Sequence, residues 1–366
     1  MINSDMEFLS LFGWDGYFNS QKAKIDSENF QVAKVICEER NLYRIQLSKE
    51  LECWASVKGS LQFSAQSRAD FPAVGDWVLV EPSGAGERAL IHGLLPRKSV
   101  IQRKQIGSSV DMQILASNVE YVLIATALTE DLNTRRLERY LTVALESGAQ
   151  PVILLTKADL YEGERGHLEG ELKTHFPMAM AHFLSKTDFS RAEFLSEYLR
   201  PGKTCVVVGS SGVGKSTLVN YLIGDEKMKT QETREYDGKG RHTTTSRSLH
   251  VTRFGGLIID TPGMRELQLL DHHEGIQAQF SEVDLLMKNC RFSDCQHLSE
   301  PDCAIKAALE EGQLLPSRWQ SYQKLADEVS HGLHKQEKWR AAEQKKLWKK
   351  VSINARNLRR FKRDEL

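Results

Sequence analysis

Nine consecutive residues constrain this chain more than any others: Gly209-Ser210-Ser211-Gly212-Val213-Gly214-Lys215-Ser216-Thr217. They match G-x-x-x-x-G-K-[ST], and they follow the apolar run Thr204–Val208 and precede the helical stretch Leu218–Ile223. Strand, glycine-rich loop and helix in that order build a phosphate cradle. The glycines let successive backbone N–H groups turn toward phosphate oxygens, and the helix N-terminus adds positive potential. Lys215 suits the β- and γ-phosphates, and the Ser216 hydroxyl suits Mg²⁺. Taken alone, the loop specifies a nucleoside triphosphate and leaves the base open.

The flanking sequence reads as the sheet that such a loop needs. Val119–Thr126 is a buried-strand run, and Asn133 is placed to cap a helix whose apolar face is Leu137, Tyr140, Leu141, Ala144 and Leu145. Gly148 stops that helix, and Pro151–Leu155 is the next strand. Ala181–Leu184, Thr204–Val208 and Leu257–Ile259 continue the alternation, as in a doubly wound parallel sheet. Upstream, residues 30–105 read differently: Phe30–Cys37, Leu42–Leu47, Leu51–Lys58, Leu61–Ser64 and Val78–Val80 are short strands broken by turns at Gly59-Ser60 and Gly75. About five strands in that length suggest a small barrel, OB-like or SH3-like.

Three further segments supply the rest of a guanine-nucleotide site. Thr156-Lys157-Ala158-Asp159 ends the strand Pro151–Leu155. An ionised Asp159 offers two acceptors to the N1–H and N2–H₂ donors of guanine, whereas adenine would leave it unpaired. The Lys157 stem can cover the base, and Thr156 stands where N-K-x-D has Asn. Ser185-Lys186-Thr187 resembles S-A-K; aligning Lys186 puts Ser185 in the alanine slot and Leu184 in the serine slot. Asp260-Thr261-Pro262-Gly263 follows Leu257–Ile259, placing Asp260 to hold Mg²⁺ through water and the Gly263 N–H to meet the γ-phosphate. Between the two phosphate motifs, Gly240-Arg241-His242-Thr243-Thr244-Thr245 offers the hydroxyls of a switch loop. Lys215, Thr244 and, as a hypothesis, His242 are the candidate catalytic residues. The order is unusual, because the guanine motifs precede the phosphate loop. A parallel sheet tolerates such circular permutation when the old termini lie close together.

Downstream, Cys290-x₄-Cys295-x-His297-x₅-Cys303 gathers three thiols and an imidazole, a ligand set for one closed structural Zn²⁺ site. The tail has twelve Lys/Arg against four Asp/Glu between Lys335 and Glu365, hidden in a formal net charge of zero, and suits phosphate backbones. Six cysteines without regular spacing exclude a disulfide framework. No apolar run reaches the length of a membrane span. Met1–Gln21 lacks a basic n-region, so a cytoplasmic protein is expected.

With these features together, the chain resembles the bacterial ribosome-small-subunit-dependent GTPases of the RsgA (YjeQ/YloQ) family over roughly residues 30–330. Val74-Gly75-Asp76-Trp77-Val78, Pro96-Arg97-Lys98-Ser99, Gly240–Thr245 and Asp260-Thr261-Pro262-Gly263-Met264-Arg265-Glu266 carry the resemblance beside the phosphate loop and the cysteine cluster. It implies an OB-fold barrel, a circularly permuted α/β GTPase domain and an α-helical zinc-binding domain. It also implies GTP/GDP and Mg²⁺ as ligands and docking on the 30S subunit and its 16S rRNA during late maturation. The expected partition is 1–29 extension, 30–105 barrel, 106–270 GTPase domain, 271–333 zinc domain and 334–366 basic tail, in a monomer. Thr156 and Leu184-Ser185 depart from the usual guanine motifs, and residue 264 is Met where Ras-like enzymes have Gln. GTP hydrolysis is therefore expected to be slow until the subunit completes the site. The competing readings are a GTPase acting on the large subunit, an ATPase, and an RNA-binding scaffold that holds nucleotide without turning it over.

Overall fold

A computed structural model of the chain describes residues 2–25, 30–39, 42–81, 88–104, 112–129, 132–185, 189–224, 247–260 and 273–330. The chain begins with two short helices, α1 (Ile2–Leu11) and α2 (Gly16–Ala23). Asp15 caps α2 by accepting from the Tyr17 N–H. Five strands come next: β1 (Gln31–Glu39), β2 (Leu42–Gln46), β3 (Glu52–Val57), β4 (Trp77–Glu81) and β5 (Ala89–Leu94). They pair in the order β1-β2-β3-β5-β4, and β4 returns to β1 to close a barrel. Only β3 and β5 run parallel within it. That order, with a helix between β3 and β4, is the OB arrangement rather than the SH3-like one. The intervening helix α3 (Gly59–Ser64) corrects the strand expected at Leu61–Ser64. Leu61 packs on the barrel core while Phe63 is 94% exposed, an in–out alternation that one helical turn also produces.

The second half of the sheet belongs to the phosphate loop. Strands β8 (Tyr121–Ala127), β9 (Gln150–Thr156), β10 (Met180–Leu184), β11 (Thr204–Gly209), β12 (Arg247–Val251) and β13 (Leu257–Asp260) stand in the order β10-β9-β8-β11-β13-β12. All are parallel except β12. Helices α4 (Thr134–Glu146), α5 (Arg165–His175) and α6 (Leu195–Tyr198) alternate with the first four of these strands, and α7 (Lys215–Ile223) leaves β11. Successive residues of β8 feed opposite layers. Val122 and Ile124 pack with Leu137 and Leu141 of α4, and Leu123 and Ala125 pack with Leu218 and Leu222 of α7. Burial on both faces explains why these strands read as continuous apolar runs. Asn133 caps α4, its side chain accepting from the Arg136 N–H at 3.1 Å. The chain travels outward from β8 to β10 and then returns to β11 on the other side of β8. The sheet order therefore reverses between β8 and β11, and ligands bind α/β sheets beyond the carboxyl ends of strands at such a point.

β1 joins the two halves. Cys37 and Glu38 pair with Ser248 and Arg247 of β12, so barrel and GTPase sheet form one eleven-stranded sheet. A hairpin of β6 (Val100–Lys104) and β7 (Met112–Ser117) lies at the same joint, and the boundary expected at residue 105 falls between its strands. The two family-specific segments of the barrel meet here. The Arg97 guanidinium donates to both oxygens of the fully buried Asp76, at 2.8 and 2.6 Å, and also to the carbonyls of Ala69 and Phe71. Gly75 has φ +98°, and a Cβ there would lie 2.1 Å from the Ser117 carbonyl oxygen, so no side chain fits. Trp77 is buried edge-on to Phe8 and Trp14, which clamps the N-terminal helices onto the barrel. The Gly202 N–H, two residues ahead of β11, donates to the Leu11 carbonyl at 3.0 Å. The N-terminal segment, which the family resemblance does not cover, therefore bridges barrel and GTPase domain.

The C-terminal part is helical: α8 (His273–Gln279), α9 (Ser281–Lys288), α10 (Ala304–Glu310) and a longer helix over 316–330. Arg318 is its fastener, donating to Glu282 at 2.7 Å, to the His175 carbonyl at 2.9 Å and to the Gln279 carbonyl. Its guanidinium also lies 3.9 Å from the Phe280 ring centroid. Among the described residues no helix is long and apolar enough to cross a membrane.

The joint is open to test at two residues. Asp76→Ala leaves a buried guanidinium without its carboxylate and should cost roughly 3–5 kcal/mol in denaturant unfolding; a loss below about 1 kcal/mol would contradict the role given to this pair. Lys34, fully buried beside the Trp77 ring, has its pKa lowered by desolvation from 10.5 to about 8. Between those values the unfolded chain holds a proton that the folded chain does not, so stability rises with pH across that window. The wild type should gain on a Lys34→Met variant as pH rises from 8 toward 10, and parallel stability curves would refute it.

Candidate nucleotide-binding site

The phosphate loop leaves the carboxyl end of β11 beside β8. Gly209, at φ +143°, is forced by contact: a Cβ would lie 2.2 Å from the Ala125 carbonyl oxygen. The next turn delivers Gly214 as the N-cap of α7, so the first N–H groups of that helix face the loop. Lys215 Nζ donates to the carbonyls of Gly209 at 2.8 Å and Ser210 at 2.5 Å. The ammonium thus sits across the lip of the cradle, where a triphosphate offers it oxygens in exchange for these carbonyls. Ser216 is exposed and Val213 is buried.

Strand register brings the guanine motifs to the same edge. Thr156, the last residue of β9, pairs with Ala127 on one side and Leu184 on the other. Its hydroxyl lies 2.7 Å from the Val213 carbonyl and 3.1 Å from the Thr126 carbonyl. One proton serves one acceptor well, so the shorter contact ties the guanine motif to the phosphate loop. Lys157 then takes a left-handed backbone conformation at φ +55°, which turns the chain sharply and carries Asp159 back to the surface.

The Ser185 hydroxyl donates to Asp159 Oδ1 at 2.7 Å. That bond, then a bond from the Asp159 N–H, holds the Asp159 carboxyl below its usual range and so in its acceptor form. The bond sets Ser185 directly against Asp159, the carboxylate expected to read guanine. Arg165, at the start of α5, supports the same turn by donating to the Ala158 carbonyl at 2.9 Å. Nothing in the sequence singles out Arg165, since an arginine opening a helix after a turn carries no distinctive pattern. Asp260 ends β13, next to β11, with Ser248 as its β12 partner. The expected site residues Lys186, His242, Thr243, Thr244, Thr245 and Gly263, and the basic tail, lie outside the described residues.

The cysteine cluster forms a second site. The ligand atoms of Cys290, Cys295, His297 and Cys303 all lie within 4.8 Å of one another. His297 Nδ1 is 3.6 Å from Cys290 Sγ and 3.4 Å from Cys303 Sγ. A tetrahedral Zn²⁺ with bonds of about 2.0–2.3 Å gives ligand–ligand edges of roughly 3.5–3.8 Å, so the set fits such an ion. Desolvation lowers the His297 pKa, which favours the neutral imidazole that a metal requires. The Trp319 ring, edge-on at 5.4 Å, covers the histidine from the 316–330 helix.

Comparison with known proteins agrees with this geometry. The RsgA GTPase family model matches residues 94–270, and a model described as 50S ribosome-binding GTPase matches residues 204–346. The chain is 42% identical over 352 residues to the small ribosomal subunit biogenesis GTPase RsgA of Opitutus terrae, covering 94% of this chain and 95% of that protein. The crystal structure of YjeQ from Thermotoga maritima superposes with a TM-score of 0.62 at 25% identity, over 82% of this chain and 98% of that one. YloQ, titled a circularly permuted GTPase, shares the fold with a TM-score of 0.60 at 22% identity, over 84% and 97%. With a phosphate loop at the sheet's reversal point and its guanine motifs upstream, this chain belongs to the RsgA GTPase family.

Proposed function

We propose that this chain is a cytoplasmic, monomeric GTPase that docks on the 30S ribosomal subunit through its 16S rRNA and acts in late maturation of that subunit. The observation that carries this reading is the 2.7 Å contact from Thr156 to the Val213 carbonyl, which couples base recognition to the phosphate loop in a family of this name. In this reading the ionised Asp159 accepts from guanine, with Ser185 and Arg165 holding its turn in place. Lys157 covers the base, and Lys186 lies in the loop that meets O6.

The N–H groups of Ser210, Ser211, Gly212, Val213 and Gly214 and the Lys215 ammonium take the β- and γ-phosphates, with Thr217 continuing the helix. Ser216 and Asp260 are the residues that would hold Mg²⁺, which would supply charge neutralisation for phosphoryl transfer. Gly263, Thr243, Thr244 and Thr245 close over the γ-phosphate, with the magnesium-ligating threonine among the last three. Residue 264 is Met, so switch II has no water-orienting side chain, and His242 supplies or supports one when the chain is bound to the subunit. Hydrolysis is then slow alone and faster on the subunit.

Cys290, Cys295, His297 and Cys303 would hold a zinc ion in a structural role, since three thiolates and one imidazole are a closed ligand set. The chain keeps its five parts, divided at residues 29, 105, 270 and 333. Lys345, Lys346 and the other cations of the tail serve rRNA phosphates. A second reading, action on the large subunit, draws on the 50S ribosome-binding model.

Thr156→Val removes one hydroxyl from a buried, isosteric position and should weaken GDP binding about three- to thirtyfold. Affinity within twofold of wild type would detach Thr156 from the site. Single-turnover GTP hydrolysis should accelerate with 30S and not with 50S subunits; no hydrolysis with either would leave a scaffold. His242→Ala should abolish the 30S-dependent part while nucleotide affinity is kept, and intact stimulation would exclude that role.

A further inference from the structure

The α3 end of the barrel encloses a cavity of about 360 Å³ that neither the nucleotide site nor the metal cluster uses. Its apolar wall comes from Val57, Phe71, Pro72 and Ile114. Its polar wall is more selective. Tyr43 is only 3% exposed and borders the cavity, and its hydroxyl has no hydrogen-bond partner among the described residues. That hydroxyl opens onto the cavity, where an occupant can bond it. Glu38 gives one oxygen, Oε2, to Arg247 at 3.0 Å, and its other oxygen has no hydrogen-bond partner among the described residues. Arg68 stands exposed at the rim. The volume is at the small end of ligand pockets, apolar with a few convergent polar groups.

We propose that this cavity captures one unstacked nucleobase of a single-stranded RNA segment, with its exocyclic amino group on Glu38, its edge on Tyr43 and its phosphate at Arg68. The apolar wall suits a flat ring, and single-stranded RNA is read in this way, base by base along its hydrogen-bonding edges. An acceptor carboxylate selects bases that carry amino groups, guanine foremost because it offers two adjacent donors, and disfavours uracil. Glu38 shares its carboxylate with Arg247, the first residue of β12, so the captured base sits against the strand that joins barrel to GTPase sheet. Such capture rests on the reading that the chain docks on rRNA.

The test uses the full chain with its nucleotide site saturated with GDP. Fluorescence anisotropy is read with hexauridine and with hexauridine carrying one central guanosine, adenosine or cytidine. Central guanosine should bind at least about fivefold tighter than uridine, and Tyr43→Phe should reduce that advantage about three- to tenfold. Ser56→Phe, which fills the cavity from β3 and leaves the Tyr43 and Glu38 side chains unaltered, should erase it. Equal binding of all four oligomers, or an advantage untouched by both variants, overturns the proposal. If guanosine monophosphate binds as tightly as the oligomer and is lost in Ser56→Phe, the ligand is a free nucleotide and the RNA assignment is overturned. Guanosine preference lost in both variants supports the site even if 30S subunits fail to stimulate hydrolysis, a failure that would count only against the docking reading.

Discussion

The buried pair between Asp76 and Arg97 anchors the segment through which the barrel leads into the GTPase domain. Asp76 ends the turn that starts β4, and Arg97 lies on the strip that leaves the barrel for the GTPase domain. A charge in the interior survives only with its partner and with its remaining donors satisfied, and the carbonyls of Ala69 and Phe71 complete that set. Around it lie the close approach of Gly75 to Ser117, the Trp77 platform and the N-terminal helices. One ion pair thus fixes the strip that leaves the barrel against the turn before β4. The shared strand β1 extends that rigidity into β12.

The nucleotide site inherits its precision from the sheet. β8, β9, β10 and β11 are parallel and in register, so their carboxyl ends deliver the guanine and phosphate segments to one edge. Circular permutation does not disturb this, because register depends on which strands pair and not on the order in which the chain visits them. Permutation instead changes the segment downstream of the site: β13 leads toward the C-terminal helices, which Arg318 fastens to the end of α5. The Cys290–Cys303 cluster lies within that module.

Much of this is legible in the residues. Buried parallel strands betray themselves as apolar runs, the cap at Asn133 and the stop at Gly148 mark α4, and the cysteine cluster is local enough for spacing alone to define its ligands. Other parts are not. Leu61–Ser64 alternates like a strand but folds as α3, since four residues cannot distinguish the two periods. The OB order depends on β3 lying parallel to β5, a pairing with no local signature. The hydrogen bond from Ser185 to Asp159, 26 positions apart, likewise has no signature in the local sequence.

The chemistry expected of the chain is written in its residue types: a loop suited to phosphate, a carboxylate suited to guanine, thiols that can hold a metal. Those assignments need only a dozen positions at a time, because the contacts involved are nearly local. The coupling of these pieces exists only in the folded chain. Thr156 and Val213 are 57 positions apart, Asp76 and Arg97 are 21 apart, and Glu38 and Arg247 are 209 apart. Such pairs depend on strand order and on the burial of polar groups that must find partners wherever the fold supplies them.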